Sequence, residues 1–206
     1  MKAIARVCTV AAVMLLSACA TTTFGTNFDS KAALALVPGK TSKEDVAKAV
    51  GPLPTMQMYT AKKDAADKEL ANPMVVEYAS YYFSDNLAPA AKTGLRASRH
   101  LAVNFIDAKL VNYRLSNNFK DEGTDFDETK VGAVSKGMAE ADVIAILGQP
   151  SGRSVYPFTR EINGTALQYY LLAYDPVTRK IHTKHFTVQL DGNRKVSDFD
   201  LKVKAE

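Results

Sequence analysis

Lys40-Thr41-Ser42-Lys43-Glu44-Asp45-Val46-Ala47-Lys48-Ala49-Val50-Gly51 returns 97 residues later as Gly137-Met138-Ala139-Glu140-Ala141-Asp142-Val143-Ile144-Ala145-Ile146-Leu147-Gly148. Asp, Val and Gly recur in register, with apolar matches around them, and Pro52 and Pro150 stand just beyond each copy. Each copy reads as a short helix entered after a glycine, Gly39 or Gly137. In the first, Ser42 or Thr41 can cap, and Glu44 and Asp45 fall near the positive end of the helix dipole. Gly51 and Gly148 sit where a helix stops at a left-handed residue, and the prolines prevent a restart. The apolar sides, Val46, Ala49 and Val50 in one copy and Val143, Ile146 and Leu147 in the other, should face a core.

The match continues downstream. Glu77-Tyr78 and Phe83 align with Gln168-Tyr169 and Tyr174 at an offset of 91, in Tyr-, Val- and Leu-rich stretches that read as strands. Residues 100–105 align with 185–190 at an offset of 85, alternating apolar and polar. Turns follow at Asp107-Ala108-Lys109 and Asp191-Gly192-Asn193, and last strands at 110–115 and 196–201. The charged, Ala-rich segment 60–72 reads as an exposed helical turn or two. The falling offset describes a duplicated domain whose loops differ. The expected fold is therefore α+β: two tandem repeats, 31–115 and 131–206, each with two short helices packed on an antiparallel sheet of about three strands. Segment 116–130, with Asp121, Glu122, Asp125, Asp127 and Glu128, reads as a solvated acidic linker between them.

The N-terminus has a basic start (Lys2, Arg6), then an apolar run from Val7 to Leu16 that is too short to span a bilayer. Leu16-Ser17-Ala18-Cys19 resembles the bacterial lipobox, which implies that residues 1–18 are a lipoprotein signal peptide and that Cys19 carries lipid. Residues 19–30 then form the lipidated Cys and a polar tether. Several acyl chains together hold a protein stably on a membrane without spanning it. Ala20 is not the Asp that retains lipoproteins in the inner membrane of enteric bacteria, so resemblance to that sorting rule implies the outer membrane, facing the periplasm. The chain's 26 basic and 22 acidic residues give a net charge of +4. Half of that excess leaves with the signal.

The Gly, small or hydroxyl residue, Asp-Val, apolar pair, Gly and Pro, followed by Tyr-rich strands, resemble the SmpA/OmlA (BamE-like) family of outer-membrane lipoproteins. The matching residues are Gly39, Asp45, Val46 and Gly51, then Gly137, Asp142, Val143, Gly148 and Pro150. That resemblance implies short helices on a three-stranded antiparallel sheet and an accessory role around the machinery that inserts β-barrels. The family's best-known members carry one copy. A tandem arrangement is similar to the β-lactamase inhibitory protein fold, whose two sheets line up into a face that grips an enzyme, and this implies the alternative of an enzyme inhibitor or sequestering partner.

Catalytic patterns are missing from the sequence. It has no Gly-x-Ser-x-Gly, and the one Cys left after the signal is the lipidated one. His182 and His185 are three apart on a strand and so point to opposite faces. The acidic run lacks the spacing of a calcium loop, and Gly39-Lys40-Thr41 lacks the upstream glycine of a P-loop. Scattered basic residues exclude a nucleic-acid stripe. The reading is a non-enzymatic, cofactor-free, metal-free protein-binding module with a protein partner and a membrane anchor. Tyr78, Tyr81, Tyr82, Tyr169, Tyr170 and Tyr174 are the candidate partner-binding residues, because tyrosine offers large, rigid, amphipathic area.

Overall fold

The computed structural model describes residues 22–205. These form β1 (Thr23–Gly25), α1 (Ser30–Leu34), α2 (Lys43–Val50), β2 (Gln57–Lys63), β3 (Glu69–Asp85), β4 (Ala97–Ile106), β5 (Lys109–Asn117), a 3-10 turn (Glu128–Ala133), α3 (Glu140–Leu147), β6 (Gly152–Val155), β7 (Thr165–Asp175), β8 (Lys180–Leu190) and β9 (Val196–Ala205). The signal segment 1–18 and Cys19 lie outside the described residues.

Strands hold 47% of the described residues and helices 15%, and the strands join one nine-stranded antiparallel sheet. Its order is β1-β3-β4-β5-β6-β7-β8-β9, with β2 pairing β3. The expected α+β fold of two tandem repeats, each with its own sheet of about three strands, is overturned. The reason lies at the β5–β6 seam. A strand left at a sheet edge exposes unpaired backbone groups, and here Asn112, Tyr113 and Arg114 of β5 pair with Ser154, Arg153 and Gly152 of β6. Gly152 is required for that approach, because a Cβ there would run into the Tyr113 carbonyl.

Where four-residue β6 ends, serine hydroxyls carry the pairing on. Ser151 Oγ accepts from the Tyr170 amide at 2.8 Å and donates to the Gln168 carbonyl at 3.2 Å. Ser116 Oγ accepts from the Leu172 amide at 2.8 Å and donates to the Leu172 carbonyl at 3.0 Å.

One sheet face is covered. Val46 and Val50 of α2 pack with Leu101, Val103, Phe105, Tyr113 and Leu115, and Val143 of α3 packs with Leu167, Tyr169, Phe186 and Val188. The register Tyr113–Arg153–Leu167 puts both clusters on the same face. The Gly39 amide donates to the Leu110 carbonyl at 2.7 Å, and the Gly137 amide to the Val196 carbonyl at 2.8 Å. Ser42 and Asp45 form a capping box on α2, and the Ser42 bonds hold the Asp45 carboxyl below its usual range. In α3, Asp142 is exposed in the first turn and the N-cap Ala139 supplies no side-chain bond. Gly51 and Gly148 end the helices at φ 105° and 85°, in a region nearly reserved for glycine. Pro150 is buried just beyond Gly148.

Three local expectations are corrected. Segment 60–72 is a hairpin of β2 and β3 turning at Asp64–Lys68, not a helix. The helix propensity of its Ala, Lys and Glu is a weak preference that strand pairing overrides. Residues 22–30, expected as a tether, dock on the fold. β1 pairs the end of β3, Phe28 is buried, and Asp29 caps α1 by accepting from the Lys31 amide at 2.8 Å. Segment 116–130 is likewise stitched down at two of its acids, Glu122 and Asp125, which meet cations from elsewhere in the fold. Glu122 accepts from Ser30 Oγ at 2.6 Å and pairs with Arg99 at 3.3 Å, Asp125 pairs with Lys184 at 2.5 Å and Lys92 at 2.6 Å, and Phe126 is buried.

Candidate functional site

Strand alternation sends one set of side chains away from the helices. Cross-strand register places Tyr78, Ser80 and Tyr82 beside Asn104, Ala102 and His100, then Asn112, Arg114 and Ser116 on β5. The same face continues through Ser154, Gln168 and Tyr170 to His185, Thr187 and Gln189. This open face is polar because its strands were never required to meet a helix.

A cleft of about 380 Å³ opens on it. The β2–β3 hairpin forms one wall through Tyr59 and Ala65, and Phe158 forms the other. The Ala65 amide donates to the Pro157 carbonyl at 3.0 Å, so the two walls touch at one end. Along the floor runs a chain of amides. Gln168 Nε2 donates to Ser154 Oγ at 2.8 Å and to Asn112 Oδ1 at 2.6 Å. Asn112 Nδ2 donates to Asn104 Oδ1 at 2.7 Å, and Asn104 Nδ2 reaches the Tyr59 hydroxyl at 3.4 Å. Such a buried, connected network fixes its members' orientations.

Arg114 lines the same cleft, its guanidinium 5.0 Å from the Tyr170 ring centroid. Among the described residues no carboxylate lies within ion-pair distance of it, and its buried Nε has no hydrogen-bond partner. By contrast, Arg99, Arg153, Arg160 and Arg194 each pair with an acid. Burial raises the Tyr59 and Tyr170 hydroxyls, and Arg114 opposes this. Burial and then Arg114 lower His100, while burial, Arg114 and Lys202 bring His185 down to about 4 against the weaker opposing pull of Asp200. Both imidazoles are therefore neutral near pH 7.

Ser80 Oγ and His100 Nε2 are 2.6 Å apart, but His100 Nδ1 is buried without a partner, so no third group orients this pair for nucleophilic chemistry. His182 and His185 stand on opposite faces, opposite Ala173 and Tyr170. Among the described residues no three His, Cys, Asp or Glu side chains are grouped to hold a metal ion. The arrangement holds one fixed positive charge, aromatic faces and oriented amides, which is the equipment of a binding surface.

The candidate tyrosines divide. Tyr78, Tyr82 and Tyr170 lie on the open face, Tyr82 meeting Phe24 at 5.9 Å between centroids, but Tyr170 is buried beside Arg114 and is not exposed to a partner. Tyr174 follows at its end, 5.1 Å from the Arg96 guanidinium. Tyr81 and Tyr169 lie on the helix face and are buried, so they are not exposed to a partner. Each donates its hydroxyl at 3.1 Å to a helix-ending carbonyl, Gly51 for Tyr81 and Gly148 for Tyr169. Burial raises both hydroxyls, Tyr81 to about 12. The equivalents are thus Tyr81 and Tyr169, not the Tyr78 and Tyr169 that an offset of 91 pairs. Sequence reasoning missed Arg114. The signal was present in the alternation of the strand at 110–115, which puts Asn112 and Arg114 opposite its apolar residues.

No protein-family model, curated protein or solved structure matches this chain.

Proposed function

We propose that this chain is a protein-binding module of the cell envelope, anchored by lipid on Cys19 to the outer membrane and facing the periplasm. It serves as an accessory factor in outer-membrane or cell-envelope assembly. The observation that carries the binding role is the contrast between the two sheet faces. Helices cover one, while the other presents Tyr59, Tyr78 and an unpaired Arg114 around a preformed cleft. The lipobox-like Leu16-Ser17-Ala18-Cys19 supports the anchor. β1 begins at Thr23, four residues after Cys19, and four residues reach at most about 14 Å, so a lipid there would keep this sheet edge near the membrane surface.

Capture from detergent-solubilised envelopes tests the role, comparing wild type with a Tyr59→Ala/Tyr78→Ala variant. The expected result is retention of assembly-machinery subunits by the wild type and their loss from the variant. Retention of a single enzyme would point to an inhibitor instead, and no partner dependent on this face would contradict the binding role. Cys19→Ala should abolish lipid labelling and release the protein from membranes. Continued membrane attachment of that variant would contradict the anchor.

A further inference from the structure

We propose that the open-face cleft binds a single carboxylate, presented by an acidic side chain of the protein partner, with Arg114 as its counter-ion and fork donor. This rests on the reading of the open face as a protein-binding surface. Arg114 is placed for the task by its neighbours. β5 pairs on both sides, with β4 and β6, so its backbone is fixed. The Tyr170 ring lies beside the guanidinium. A buried Nε–H without an acceptor is a donor that folding leaves unmet, and a carboxylate meets it in the bidentate geometry that guanidinium favours.

The charge count selects the ligand class. Of the other titratable cations on this face, His100 and His185 are held neutral near pH 7, and Lys202, opposite His185 on β9, is paired with Asp200 at 3.2 Å. The cleft lining includes no lysine and no carboxylate. Asp200 raises His185 only weakly against burial, Arg114 and Lys202. One positive charge in partly desolvated surroundings matches one negative charge, whereas a phosphate dianion would retain an uncompensated charge. The Tyr59 hydroxyl is oriented by Asn104 and keeps its own proton to donate. The cleft admits a side chain rather than a folded surface, and the exposed hairpin residues around it leave room for the rest of the partner.

The test uses the full chain, 15N-labelled and in detergent micelles, and follows the Arg114 Nε–H resonance. The probes are N-acetyl-glutamic acid N-methylamide, its glutamine isostere and inorganic phosphate. The expected result is a saturable shift with the glutamic acid probe, binding at least about tenfold tighter than either of the others, since the ionised, bidentate pair is the stronger one. In the variants binding is read at the Gln168 side-chain amide on the cleft floor, where Arg114→Gln and Arg114→Lys should both lose the saturable shift while the Tyr169 ring signals, deep in the helix-face core, stay unchanged and report an intact fold. No saturable shift, equal binding of the glutamine isostere, phosphate binding as tight, or full retention in Arg114→Lys would each overturn the proposal. Envelope capture separates it from the reading beneath it. A partner lost with Tyr59→Ala/Tyr78→Ala but held by Arg114→Gln overturns the carboxylate site and leaves the binding surface standing. A glutamic acid probe that binds while no partner depends on the face leaves the carboxylate site standing but overturns the protein-binding reading and, with it, a protein partner as the source of the carboxylate.

Discussion

The two helix–sheet junctions make the same backbone bonds and secure them with different side chains. Gly39 and Gly137 donate to carbonyls near the start of β5 and β9, Leu110 and Val196, and Tyr81 and Tyr169 tie the helix ends to the sheet at the same 3.1 Å. At the helix starts they diverge. α2 is held locally by the Ser42–Asp45 box. α3 has no side-chain cap, and its first residue, Glu140, instead pairs with Arg153 of β6 at 2.8 Å and with Arg194 of the β8–β9 turn. A local cap stabilises a helix alone, whereas ion pairs reaching two other elements tie the helix to the seam. The C-terminal junction should therefore depend more on the integrity of the whole sheet.

Breaking the seam is the strongest test of that difference. Gly152→Ala forces a Cβ against the Tyr113 carbonyl and should cost at least about 1–3 kcal/mol, the range for overpacked sites. Denaturation followed by NMR at Tyr81 and Tyr169 should then show two transitions, Tyr169 melting first. A single unchanged transition would contradict the role given to this seam.

The histidines extend the comparison to pH. His185, taken down to about 4 from 6.5, is neutral in the folded protein where the unfolded chain would bind a proton. Its contribution is present above pH 6.5 and is lost as pH falls toward 4, by roughly 1–3 kcal/mol. His100 is lowered too, by burial and Arg114. His185→Gln should flatten the stability profile between pH 4 and 6.5, as read by thermal melts, whereas an unchanged profile would rule out that cause.

Smaller effects sharpen the contrast in caps. Ser42→Ala should destabilise by about 1 kcal/mol, and Ala139→Ser should stabilise by about 0.5–1 kcal/mol by giving α3 what α2 has. Tyr81→Phe and Tyr169→Phe should cost similar amounts, about 1 kcal/mol each, since each removes one hydroxyl bond to a helix-ending carbonyl. Urea midpoints measure all four.

The helices and their stops were legible because caps and glycines act locally, and the strands 100–105 and 185–190 because alternation is local as well. Joining into one sheet was not legible. It depends on Gly152 being small and on Ser116 and Ser151 completing β5 and β7, contacts between residues distant in sequence. Segment 60–72 misled because its composition favours helix while its partner strand decides otherwise. Half of the tyrosine reading was available from alternation, which separated Tyr78 and Tyr82 from Tyr81. Arg114 was hidden because counting charges treats a cation in a cleft like any surface one.

Site-specific photocrosslinking in intact cells tests the central claim most directly, with a photoreactive amino acid in place of Tyr78 or Thr187 on the open face and of Ala145 on the exposed side of α3. The account predicts adducts to the same protein from both open-face positions and none from position 145. Adducts from position 145 alone, or equally from all three, would contradict it.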